Sequence, residues 1–141
     1  MKKIQRRAGL LAAVSLLCAL LLSGCKDMSL GEMFDETQVL QKSRDAIDYF
    51  NGGDYQAIID MGGEALKGQL TVEDFDAQAA PKKEKLGAFK EITREEVMGT
   101  VDEETGMNYA GTVTVAKYEH GKLKFTIAYD EDMNLVQFTI K

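Results

Sequence analysis

At Gly87 the apolar period of the chain changes from that of a helix to that of a strand. Upstream, apolar residues recur every three to four positions; downstream they recur every second one. A helical half joined to a strand half by short links has one economical way to bury both apolar surfaces. The helices must pack on one face of an antiparallel sheet, which makes the chain α+β.

Three helical stripes precede Gly87. In "DETQVLQKSRDAIDYF", Val39, Leu40, Ser43, Ala46, Ile47 and Phe50 share one side, with Asp35 as N-cap and "NGG" as the stop. Asp54 caps the second, through Tyr55, Ile58, Ile59, Gly62, Ala65 and Leu66, and a break is expected at the Gly62–Gly63 pair. Thr71 and Asp74 form a capping box for the third, through Val72, Phe75, Ala79 and Leu86. Pro81 lies off that stripe, where it would kink or end the helix.

Four strands follow: Phe89 to Val101, Met107 to Tyr118, Lys122 to Tyr129, and Leu135 to Ile140. Leu123, Phe125, Ile127 and Tyr129 line one face of the third, and Val136, Phe138 and Ile140 one face of the last. Irregular alternation around Ile92 and Met98 predicts a bulge in the first. The short connections give an antiparallel meander.

The N-terminus obeys different rules. Lys2, Lys3, Arg6 and Arg7 precede an apolar run from Ala8 to Leu22. As a helix that run would span roughly 22 Å, against about 30 Å of hydrocarbon, which suits a signal segment better than a membrane span. Leu22, Ser23, Gly24 and Cys25 then resemble a bacterial lipoprotein signal: an apolar residue, two small ones and a nucleophilic thiol. The resemblance implies cleavage between Gly24 and Cys25, a diacylglyceryl thioether on Cys25 and further acylation such as palmitate. It also implies residence at the outer face of the cytoplasmic membrane, where two acyl chains anchor firmly. Cys18 follows Leu17 where a small residue is required, so it is no rival site and leaves with the signal.

These features divide the chain into a signal peptide at 1–24, a lipidated tether at 25–35 and a single domain at 36–141. The tether "KDMSLGEMFD" reaches at most about 35 Å. Residues 25–141 carry 13 basic and 23 acidic side chains. That balance excludes a nucleic-acid partner, whose phosphates need a basic face, and leaves membrane attachment to the lipid.

Three stretches, "YFNGGDYQAII", "LGAFKEI" and "GKLKFTIAYDEDMNLVQFTI", resemble the bacterial family of domain of unknown function 3887, over roughly residues 38 to 141. The resemblance implies a nuclear-transport-factor-2-like, or cystatin-like, cone: three N-terminal helices against a curved four-stranded antiparallel sheet. It further implies a pocket in many members, and in many a homodimer through the sheet.

Few residues offer chemistry. His120, the one imidazole, stands in the "EHGK" turn; Asp130, Asp132 and Asn134 open like a calcium loop, but Leu135 takes its glycine position and Lys141 its glutamate position. "DEETG" reads as a hairpin link, and Asp60 as solvent-facing charge. No catalytic residue, metal or cofactor is expected. The candidate ligand contacts are Tyr109, Tyr129, Tyr55 and Phe125. The expected function is a lipid-anchored, non-catalytic module for an unknown small molecule or envelope protein. The alternatives are an assembly role through dimerisation and a metal-independent enzyme with a buried acid or base.

Overall fold

The computed structural model describes residues 29–141; Cys25 and the whole signal segment lie outside the described residues. Helix α1, Glu36–Gly52, starts where Asp35 accepts a hydrogen bond from the Gln38 amide at 2.8 Å. It stops at Gly53, whose φ of 75° lets its amide and that of Asp54 turn back onto the carbonyls of Phe50 and Tyr49. Asp54 caps α2, Tyr55–Asp60, through the Ala57 amide. The expected break follows, and Gly63–Lys67 forms the short α3. Thr71 caps α4, Val72–Leu86, which runs on past Pro81 with that residue turned to solvent.

The sheet is a meander in the order β1, Phe89–Val101; β2, Asn108–Tyr118; β3, Gly121–Tyr129; β4, Leu135–Ile140. All neighbours are antiparallel. The expected irregularity in β1 is real, with register shifts between Phe89 and Glu91 and between Ile92 and Arg94. In β4 the assignment of faces needs one correction. A shift beside Tyr129 sets Leu135 opposite that residue and Phe138 opposite Ile127, so Leu135, Phe138 and Ile140 pack on the core while Val136 does not. The extra residue breaks the simple alternation.

Helices cover one face only. The inner face carries Val97, Ala110, Thr112, Thr114, Ala116, Leu123, Phe125, Ile127 and Tyr129, packed against Val39, Ala46, Ile47, Phe50 and Ile58. The chain is packed well before Glu36. Leu30 and Phe34 join the core, and the Ser29 carbonyl passes so close to Gly99 that a Cβ there would lie 2.5 Å from it. Only a glycine admits that approach. Among the described residues no helix is long and apolar enough to cross a membrane.

Candidate functional site

The interior divides into an aromatic part and a polar part. In the first, Phe50 meets Phe125 edge-on at 5.3 Å, Tyr55 stacks on Phe75 at 4.8 Å, and Phe138 touches Phe50, Phe75 and Phe125. Two of the expected ligand contacts, Tyr55 and Phe125, are therefore pieces of one ring cluster. Lys83 closes its edge. Its Nζ donates to the carbonyls of Phe50 at 3.0 Å and Asn51 at 3.2 Å and lies 5.6 Å from the centres of both the Phe50 and Tyr55 rings. A cation suits that place because the last carbonyls of α1 and the ring faces are both electron-rich. Nothing in the spacing of α4 singles out Lys83.

The polar part lies under the first half of α1. Tyr129, fully buried, shares a hydrogen bond with Ser43 Oγ at 3.1 Å. Burial pushes its phenol up to about 12, Ser43 opposing and Asp45 adding to the shift. One residue on, Arg44 holds the Glu95 carboxylate in a two-pronged bond, with Nη2 at 2.6 Å and Nε at 3.0 Å. That hydrogen bond and the accompanying charge raise the Arg44 pKa. Thr112 and Thr114 lie on the same inner face, wholly buried. The serine inside the first apolar stripe was the one sequence signal for this seam.

Tyr109 is elsewhere. Ala110 pairs with Tyr129 on the inner face, so Tyr109 projects from the outer one, where its hydroxyl meets Met107 Sδ at 3.8 Å. Tyr109 and Tyr129 cannot meet in one pocket. Burial raises the Tyr109 phenol, helped by the negative charges of Asp102, Asp130 and Glu131. Around it the helix-free face presents Met98, Val113 and Val115, with Met107 41% exposed beside the hairpin.

The other polar candidates serve turns. His120 is exposed, and its amide donates to the Leu86 carbonyl at 2.9 Å. Glu119 accepts from the Ala88 amide at 3.1 Å and faces Lys90 at 3.5 Å, which holds its carboxyl below the usual range. Asp130 accepts from the amides of Asp132 and Asn134. Asp102 likewise accepts from the Glu104 and Thr105 amides, which lower its pKa. Asp60 is exposed and bonded to Gln56 at 3.0 Å. Among the described residues no group of three His, Cys, Asp or Glu side chains is placed to hold a metal ion.

Comparison with curated proteins gives no match. Among solved structures, the NMR structure of a protein from Ruminococcus gnavus ATCC 29149 superposes with a TM-score of 0.69 at 34% identity, covering 79% of this chain and 96% of that one. Residues 43–138 match the family described as "Protein of unknown function (DUF3887)", a span that runs from the Ser43 of the polar seam to the Phe138 of the ring cluster. The chain belongs to that DUF3887 family.

Proposed function

We propose that this protein is an extracytoplasmic lipoprotein, held by acyl chains on Cys25 at the outer face of the cytoplasmic membrane. Its domain is a non-catalytic module for a small ligand or a protein partner. The observation that carries the non-catalytic part is the chemistry of the interior: among the described residues the buried polar side chains between helices and sheet, phenols apart, are Ser43, Thr112 and Thr114. Aliphatic hydroxyls keep their protons near neutral pH. Acid–base catalysis needs a group that titrates close to the working pH. Burial drives the interior phenols away from that range: Tyr55 is raised, and Tyr118 and Tyr129 are pushed up to about 12.

Support for the anchor is the Leu22–Cys25 pattern. Ser29 lies against Gly99, and the four-residue step from Cys25 to Ser29 spans at most about 14 Å. On this reading the sheet end that bears Asp102, Glu103, Glu104, Asp130, Glu131 and Asp132 faces the bilayer. Anionic headgroups repel it, which leaves the outer sheet face and the opposite end free for partners. The nuclear-transport-factor-2-like assignment is supported by helices confined to one face of a four-stranded meander. Assembly through dimerisation is the second reading, favoured by the helix-free face around Val113 and Val115.

Cells expressing the wild type and Cys25→Ala are fed radiolabelled palmitate and fractionated. Label and membrane retention are expected in the wild type alone; an unlabelled wild type, or a variant that stays with the membrane, overturns the anchor. Native mass spectrometry of the purified protein then tests the module. A co-purified small molecule or protein supports binding, and a dimer dispersed by Val113→Lys transfers the role to assembly.

A further inference from the structure

We propose that the seam between α1 and the middle of the sheet is a buried binding site for ordered water, held by Thr112, Thr114 and the Ser43–Tyr129 pair. The inference rests on the interior alone and stands whether or not Cys25 is acylated.

Two contacts locate the seam. Ser43 bonds to Tyr129, which lies opposite Ala110, and Arg44 bonds to Glu95, which lies opposite Thr114. The row between them is that of Thr112, so one turn of α1 lies across both threonines. Neither threonine hydroxyl has a hydrogen-bond partner among the described residues, and both side chains are 0% exposed. A buried polar atom without a partner carries an uncompensated desolvation cost, and native interiors rarely leave two on one strand face. The Ser43–Tyr129 bond uses a single hydroxyl proton and leaves the other to be placed. Three O–H donors and their lone pairs therefore belong to neighbouring rows of one buried sheet face.

Geometry and size select the occupant. Thr112 and Thr114 stand two residues apart on one strand face, roughly 6.6 Å between Cα atoms. A water accepting from one hydroxyl and donating to the other joins oxygens up to about 5.6 Å apart, within reach of threonine rotamers on that spacing. A buried water needs two to four polar partners, and the seam supplies them. Val39, Ile47, Phe125 and Ile127, all at 0% exposure, wall the seam, so an organic molecule could enter only if α1 lifted from the sheet. Water is small enough to pass on ordinary fluctuations.

The test uses the purified full chain in detergent micelles. Magnetisation transferred selectively from water is expected to reach the γ-methyl groups of both Thr112 and Thr114, with the sign of a rigidly held molecule. Thr112→Val and Thr114→Val keep the shape and delete one hydroxyl each. Each is expected to raise the unfolding equilibrium constant about fivefold, because a water bond is lost. Transfer to neither methyl overturns the site. So does a lowered unfolding constant in both variants, the result expected when a hydroxyl without any partner is removed. A co-purified organic molecule contacting these methyl groups overturns water as the occupant.

Discussion

Tyr118 donates its phenolic hydrogen to Asn51 Oδ1 at 2.6 Å and so ties the last turn of α1 to the far end of β2. Sixty-seven residues separate the two, and the bond fixes the helix at the end opposite the Ser43–Tyr129 contact. Tyr118→Phe keeps the ring and strands the Asn51 carboxamide, whose buried Nδ2 has no partner among the described residues. A loss of about 1–3 kcal/mol is expected. Urea unfolding checks it through a lower midpoint at unchanged slope.

Alkaline pH should unfold the protein through two phenols. Burial pushes Tyr118 and Tyr129 up to about 12, above the value near 10 of an exposed tyrosine. The folded state therefore keeps protons that the unfolded state releases. The resulting stability is complete below about pH 10 and is lost as pH rises towards 12, by roughly 2–3 kcal/mol per group. Tyr118→Phe and Tyr129→Phe should each flatten their share of that slope, seen by denaturant unfolding across the range with tyrosinate absorbance followed in parallel.

Gly99→Ala should free the N-terminal segment and spare the sheet. The new Cβ would sit 2.5 Å from the Ser29 carbonyl oxygen and 3.0 Å from Leu30 Cα, so backbone has to move. A cost of about 1–3 kcal/mol is expected from the overpacking. Hydrogen exchange should show lost protection at the Phe34 amide, which bonds to the Gly31 carbonyl, with β2 and β3 unchanged.

Two cations in ion or dipole contacts should behave differently. Lys83→Met keeps an apolar stem against Phe50 and Tyr55 and removes the bonds to the α1 carbonyls, for an expected loss of about 1–2 kcal/mol. Arg44→Met breaks an ion pair whose arginine is about half exposed and should cost about 1 kcal/mol. Thermal unfolding in low and high salt separates them, since salt should erase the Arg44 effect first.

Local chemistry made much of the fold legible. Asp35, Asp54 and Thr71 cap the helices that they were expected to cap, because a short polar side chain before an apolar stripe has few better uses. The strand limits of β1 and β4 follow the two-residue period. The face of β4 escaped that logic, since a single register shift beside Tyr129 swaps Val136 for Leu135 and no residue type announces it. The candidate contacts fared as parity allows: Tyr109 and Tyr129 lie on different strands, and only the pairing of Ala110 with Tyr129 sets them on opposite faces.

By itself the sequence determined the α+β order of elements, the caps, the acidic balance and the thiol at Cys25, all of which depend on neighbours within a few residues. Tertiary structure alone decided that Lys83 closes the end of α1, that Ser43 meets Tyr129 above two buried threonines, and that Ser29 rests on Gly99. Those contacts join residues 33, 86 and about 70 positions apart, and their partners become neighbours only when α1, the sheet and the N-terminal segment bury a common apolar surface.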